Sequence, residues 1–383
     1  MVTRKYLSSL SSTALHSSVK TLIKQSMPIL PSGTPIDAEW LGEQLGLRVE
    51  GLEIEPLGVP QGFTSNTMRL RPRGPSDDLP SSLILKIDSD DPQSREVALK
   101  LNCFRREVGF YRTFAPQFPS LVPLNYATGN GSSDEGRWLL LEDLSAMAVG
   151  NQVRGVTADA SFLVLDAMAQ IQARFWNSSA LHGYDWLPDH QFWFQGSTEL
   201  LSSFHSNFLD DYELRVEPEA LQTIEFVIEN SQVIDETMAK RPSTLVHGDL
   251  RVENVLFGQN TTQRNVVVLD WGTPTRSMAA MDLAYLIGGS VPMPARRGRL
   301  RELCTNWHQS LKSHGVKDYS LEDAWADFQL VSLRCLSSVL ILHNWQLDPN
   351  INSRAILLND EWIERSCSLV VEIEALEAMK SIA

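Results

Sequence analysis

The chain has 383 residues, 43% of them hydrophobic and 21% charged, which is ordinary for a globular enzyme and enough for two lobes with separate cores. A net charge of −14 argues against a nucleic-acid-binding surface, since that needs a basic stripe, and no run approaches the ~20 apolar residues of a membrane span. Cys103, Cys304, Cys335 and Cys367 are scattered without a C-x-x-C pair, so they offer no zinc site and fit a reducing, cytoplasmic setting.

Residues 1–36 carry Arg4, Lys5, Lys20 and Lys24, many serines and no acid before Asp37. Leu7, Leu10, Leu15, Val19, Leu22 and Ile23 fall on one helical face, which suits either an amphipathic helix packed on the body or a mitochondrial transit peptide. Residues 38–50 read as a short helix. From Gly51 to Asp88 the pattern turns to strands (LEIEPLGV, NTMRLRP, SSLILKID) around the polar turn Arg73–Asp78, a hairpin signal. A helix is expected over about Pro92–Phe114, a strand over Arg137–Asp143 and helices over 157–180 and 198–240 by their periodicity. A hairpin region at 245–272 precedes a largely helical tail from about Glu302. Strands first and helices later imply an α+β arrangement of two lobes.

The stretch LVHGDLRVENVLFGQNTTQRNVVVLDWG, Leu245 to Gly272, carries the chemistry. Phosphoryl transfer needs a carboxylate to take the acceptor's proton and oxygen ligands for the metal ions that neutralise the phosphates. Asp249 suits the base, and Asn254 with Asp270 suits Mg²⁺. The order parallels the protein-kinase H-R-D-L-x-x-x-N loop and D-F-G, with Gly248 for the Arg and Trp271 for the Phe. His247 falls to a supporting role. Asp282 is expected to N-cap a helix and to brace this loop from below. Arg251 either stabilises charge on the transferring phosphoryl group or is a solvated loop residue.

Three further parts precede this loop in the order a nucleotide site requires. Lys86 ends the apolar strand SLILK, and Glu107 on the following helix is its expected partner, with Glu96 as rival. The loop Gly58–Thr67 lies where phosphates would be covered. It lacks G-x-G-x-x-G, but Gly62 permits a turn while Thr64, Ser65 and Asn66 offer phosphate contacts. At LLLEDL the backbone of Glu142 and Leu144 is placed to meet an adenine ring.

Together, GFTSNT, LILK, REVGFYRTF, LLLEDL, HGDLRVENVLF, VVLDWG and MDLAYLIGG resemble the aminoglycoside-phosphotransferase and choline-kinase-like superfamily of small-molecule kinases. The nearest look is to its ecdysteroid-kinase-like branch and to phosphotransferase domains found beside acyl-CoA dehydrogenases. The resemblance implies a protein-kinase-like bilobal fold with ATP and Mg²⁺ between the lobes. It divides the chain into an extension (1–36), a nucleotide-binding lobe (37–143) and a helical catalytic and substrate-binding lobe (144–383). Three departures stand out: Gly272 where relatives often carry Gln or Glu, Gln172 where many carry His, and the sparse glycine loop.

The expected activity is ATP-dependent phosphorylation of a small-molecule hydroxyl. The short Thr273–Met281 link, without A-P-E, leaves little room for a peptide platform. Trp186, Trp193, Trp307 and Trp345 are candidates to wall a pocket for a steroid-like alcohol. Asp360, Glu361 and Glu364 would instead favour a polycationic aminoglycoside, and a choline- or ethanolamine-type kinase is a further alternative. A catalytically silent nucleotide-binding scaffold is the reading from another class.

Overall fold

The computed structural model describes residues 28–30, 32–57, 65–88, 96, 98–129, 137–190, 197–259, 262–347 and 353–380. Helix α1 (Ala38–Leu45) starts where the Asp37 carboxylate accepts the Trp40 amide at 2.9 Å, and it stops at Gly46, whose φ of 66° is left-handed. Strands β1 (Gly51–Pro56), β2 (Ser65–Arg73), β3 (Leu83–Asp88), β4 (Asn125–Thr128) and β5 (Trp138–Glu142) form one antiparallel sheet in the order β1-β2-β3-β5-β4. Helix α2 (Cys103–Thr113) lies between β3 and β4 in sequence.

Period-two alternation assigns the two faces of this sheet. Leu83, Leu85 and Ile87 of β3 join Met68, Leu70, Trp138 and Leu140 in a core with Trp40, Leu41, Leu30 and Ile36. Trp40 meets Trp138 edge-on at 5.2 Å. Residues Leu30 and Ile36 of the presumed extension therefore belong to the sheet lobe, while residues 1–27 lie outside the described residues. On the opposite face Ile84, Leu139 and Leu141 pack with α2 residues Phe104, Val108, Phe110 and Tyr111. That alternation turns Lys86 toward α2.

The second lobe is mainly helical. After β6 (Ala148–Val149) come α3 (Ala158–Arg174), α4 (Ser197–Tyr212) and α5 (Pro218–Ala239). The expected 157–180 helix thus ends six residues early, with a 3₁₀ turn at Ser179–Gly183, and the expected 198–240 helix is two, because Pro218 opens a new one. Of the helix expected over about Pro92–Phe114, residues 96 and 98–100 are helical, and the left-handed Asn102 (φ 53°) separates them from α2. Short strands β7 (Thr244–Val246), β8 (Val255–Phe257), β9 (Val266–Val268) and β10 (Thr275–Ser277) follow, with β7 paired to β10, and β6, β8 and β9 in a second small sheet. The chain ends in α6 (Ala280–Ser290), α7 (Met293–Arg296), α8 (Leu300–Ser313), α9 (Leu321–Gln346), α10 (Ser353–Glu372) and α11 (Ala375–Lys380).

Helix α9 bears on the expectation that the chain has no membrane span. Its segment Leu321–Asn344 has a mean hydropathy of 1.3 and is long and apolar enough to cross a membrane, yet 67% of it is buried inside the protein. It packs against α4, α5, α6, α8, α10 and α11. A helix surrounded on all sides is apolar all round. Two of its buried charges are paired: Asp327 accepts from Tyr319 and Arg241, and Arg334 lies 2.8 Å from Asp235.

Candidate active site

Strand β7 ends in the loop that returns as β8. Gly248 has φ 80°, and a Cβ there would collide with the Thr273 carbonyl, so glycine is required where a protein kinase has arginine. His247 is fully buried; its Nε2 donates to the Leu269 carbonyl at 2.8 Å while its Nδ1 accepts the Asp249 amide at 3.2 Å. Asp282 sits beneath. Its carboxylate accepts the amides of His247 (3.1 and 3.0 Å) and Gly248 (3.1 Å) and Nε2 of Gln172 (3.0 Å). Ala279 occupies the N-cap position of α6 and Asp282 lies inside the first turn, so the expected capping role is replaced by bracing. Gln172 also donates to the Ala279 carbonyl at 3.0 Å and accepts from Trp307 Nε1 at 3.1 Å. An amide, with one donor end and one acceptor end, satisfies this buried junction.

The cleft brings Lys86, Glu107, Asp270, Asn254, Asp249 and Arg251 together. Lys86 Nζ donates to Glu107 at 2.8 Å and to Asp270 Oδ1 at 2.7 Å. The rival Glu96 pairs instead with Lys100 on the surface. Burial pulls the Lys86 ammonium down, but the Asp270 and Glu107 carboxylates outweigh it and hold its pKa above the ordinary lysine value. Burial pushes Glu107 up to about 7, against the pull of Lys86. For Asp270 burial also acts upward, yet Lys86 wins and keeps its carboxyl below the ordinary range. Asp270 has the left-handed φ of 58°, which Asp tolerates better than most residues. Asn254 Nδ2 donates to the Asp249 carbonyl (2.9 Å) and to its Oδ2 (3.1 Å), so its amide oxygen is the atom able to ligate. Arg251 Nε lies 3.3 Å from Asp249 Oδ2, and its Nη1 donates to Glu253 at 3.0 Å. Arg354 of α10 closes on the same Glu253. Burial raises the Asp249 carboxyl above the ordinary aspartate value, more than Arg251 and His247 lower it.

The sequence profile of the ecdysteroid kinase-like family matches residues 61–317, well over half of the chain. The chain belongs to the ecdysteroid kinase-like family. It is accordingly a small-molecule kinase. Among solved structures, choline kinase from Cryptosporidium parvum Iowa II superposes with a TM-score of 0.51 at 13% identity, over 85% of this chain and 92% of that one, which shows a shared fold. An amicoumacin kinase in complex with AMP-PNP, Ca²⁺ and Ami gives 0.49 at 13% identity (92% and 96% covered). The GDP complex of aminoglycoside 2'-phosphotransferase-IIIa gives 0.48 at 15% identity (88% and 97%). No curated protein matches the chain.

Within this family member the remaining expected residues fall as follows. Gly62 and Thr64 lie outside the described residues. Ser65 and Asn66 open β2 opposite Asp88 and Ile87, with Thr67 opposite Lys86, so the start of β2 runs beside the lysine. Glu142 binds Arg264 through both carboxylate oxygens (2.8 and 3.1 Å), and its amide donates to the Leu124 carbonyl at 2.9 Å. The Leu144 carbonyl accepts the Met147 amide at 2.9 Å. Hence the Glu142 amide and the Leu144 carbonyl are already engaged. Trp307 is buried and borders a pocket with Phe162, Leu165 and Ser310, while Trp186 is half-buried against Gly109, Phe114 and Tyr184. Trp193 and the Trp345 side chain lie outside the described residues. Asp360 and Glu364 pair with Arg215, and Glu361 with Arg365. At Gly272 a Cβ would stand 3.7 Å from Asp270 Oδ1 and from Cys103 Cβ, so the glycine leaves open a position where a longer residue fits. Sequence reasoning missed Arg106, Glu253 and Arg354; nothing in FRREV separates a buried Arg106 from its neighbour Arg105, and Arg354 is remote in sequence.

Proposed function

We propose that this kinase transfers the γ-phosphoryl group of ATP, with Mg²⁺, to a hydroxyl of an uncharged, lipophilic small molecule such as a steroid alcohol. The nucleotide would lie between a lobe of residues 37–143 and one of 144–383. The observation that carries the reading is the Lys86 ammonium, bonded at once to Glu107 and Asp270 within the same cleft as Asp249 and Asn254. The donor set fits the metal: the Asn254 amide oxygen and an Asp270 carboxylate kept ionised by Lys86 are hard oxygen ligands of the kind Mg²⁺ prefers. When bound, the ion would neutralise phosphate charge.

The chain's own groups supply the rest. Asp249 is the base for the acceptor hydroxyl; Asn254 and Arg251 both approach Oδ2, which leaves Oδ1 to receive the proton. Its raised pKa makes it a stronger acceptor than a solvated aspartate. Lys86 orients the phosphates, Glu107 holds Lys86, and Asp282 with His247 fixes the loop that carries Asp249. The acidic residues of α10 are neutralised by Arg215 and Arg365, which disfavours a polycationic acceptor, and the family description favours a steroid. Phosphate transfer from γ-labelled ATP across steroid alcohols, aminoglycosides, choline and ethanolamine, with Mg²⁺ and with EDTA, tests this. Metal-dependent labelling of a steroid alcohol is the expected result. Neither transfer nor ATP hydrolysis under any condition would leave a silent nucleotide-binding scaffold instead.

A further inference from the structure

We propose that Arg106 is a positioning residue of the nucleotide site, a permanent clamp that fastens α2 to the segment after Asp270 and keeps the Lys86–Glu107 pair assembled without any activating event. This rests on the reading of the cleft as a nucleotide site. In kinase-type sites the Lys–Glu ion pair must be in place for catalysis, and the position of the helix bearing the Glu is what activation controls. Here that helix is held from three directions.

Arg106 precedes Glu107 but works on the other lobe. Its side chain is buried (1% exposed), and Nε (3.2 Å) and Nη2 (2.6 Å) both donate to the Pro274 carbonyl. Nη2 also donates to Thr275 Oγ1 at 2.7 Å, and Nη1 to the Leu101 carbonyl at 3.4 Å. The receiving segment is itself fixed. Thr275 opens β10, which pairs with β7, and its hydroxyl donates to the Thr273 carbonyl at 2.9 Å. Thr273 Oγ1 in turn donates to the His247 carbonyl at 3.0 Å. A second hold is the stacking of Phe110 on Trp271, centroids 3.8 Å apart and planes within 4°. A third is Trp186, which lies so close over α2 that a Cβ at Gly109 would strike its ring. Retreat of α2 would strip a buried guanidinium of its acceptors, a costly change, so the helix has one position. Through Arg106 the partner of Lys86 and the backbone that carries Asp270 are braced against each other.

The test is calorimetric titration of Mg-AMP-PNP into wild type, Arg106→Met, Lys86→Met and the double variant, with thermal melting alongside. Arg106→Met is expected to weaken binding about ten- to a hundredfold, as loss of partners for a buried charged group costs about 1–3 kcal/mol and 1.4 kcal/mol is tenfold. In the Lys86→Met background the same change adds no further loss, because the clamp acts through Lys86. A merely structural arginine would lower melting temperature but leave that non-additivity unseen. Arg106→Lys and Thr275→Val, milder losses of the same contact, run in parallel so that the result does not hang on the folding of one variant; both should weaken binding severalfold. Phosphatase treatment of the wild type should leave affinity unchanged. Folded Arg106 variants with wild-type affinity, losses additive with Lys86→Met, or affinity lost on dephosphorylation would overturn the clamp. Wild type that binds no nucleotide would overturn the nucleotide reading beneath it.

Discussion

Asp282→Asn offers the sharpest test of how the catalytic loop is held. Oδ1 accepts the amides of His247 and Gly248, and Oδ2 accepts the His247 amide and Gln172 Nε2. An asparagine must turn its NH₂ toward one of these donors. With its oxygen at the loop, the NH₂ faces Gln172 Nε2, and turning Gln172 over would break its bonds to Trp307 Nε1 and the Ala279 carbonyl. One donor–donor conflict therefore survives in either arrangement. Hydrogen bonds to a charged group are worth about 1.5–3 kcal/mol each, and removing a buried charge returns part of that, so a net loss of about 2–4 kcal/mol is expected. Displacement of His247 and Gly248 should also lower kcat about a hundredfold, with little change in KM for ATP, since misplacing a catalytic group by an ångström costs that much. Thermal and urea unfolding, with kcat measured on the identified acceptor, provide the readouts. Gln172→Glu added to Asp282→Asn restores an acceptor opposite the NH₂ and should recover part of the stability. An Asp282→Asn protein within about 0.5 kcal/mol of wild type, as for an ordinary surface substitution, would refute the bracing argument.

Asp249→Asn should bind Mg-ATP normally while kcat falls about 10²–10⁴-fold, the usual contribution of a general base. Because burial raises the pKa of Asp249, the wild type loses stability as pH climbs from the ordinary value of 3.8 and the loss is complete above the folded pKa. The melting temperature of Asp249→Asn relative to wild type should therefore rise with pH over that window, and a flat difference would contradict it. Asp270→Ala should abolish the Mg²⁺ dependence of ATP affinity, read by titrating the metal; unchanged dependence would remove Asp270 from the site. Lys86→Met should raise KM for ATP and lower kcat, Glu107→Gln should do so less, and the double variant should resemble Lys86→Met, so additive losses in kcat/KM would dissolve the pair.

Much of this architecture was legible because the chemistry is local in sequence. Asn254 follows Asp249 by five positions, and the apolar run into Asp270 announces a strand end. The lysine of an alternating strand and the glutamate of the next helix meet because successive strand residues face opposite ways, which turns Lys86 toward α2. Long-range contacts were not legible. Strand β4, with the half-exposed pattern NYAT, carries little hydrophobic signal and went unseen. Which of Trp186 and Trp307 borders a pocket was not legible, because an indole in sequence carries no sign of whether it faces a cavity or a core. The bracing role of Asp282 was expected, but the part that Gln172 and Trp307 take in it, converging on the β7 loop from distant parts of the chain, is encoded by no periodicity.

The position of α9 bears on how the chain assembles as it leaves the ribosome. The matched family stretch ends at residue 317, before the helix around which the second lobe is packed. Helices α4, α5, α6 and α8 are all made before α9, which packs against each of them. Roughly 60 residues separate Asp282 from the end of α9, so at about 5–20 residues per second α6 waits some 3–12 s for the helix that packs on it. During that interval the apolar side chains that α9 covers in the finished protein lack that cover, which suits chaperone capture. A chain cut at residue 317 would hold every proposed catalytic residue and still lack the helix on which α4, α5, α6 and α8 pack.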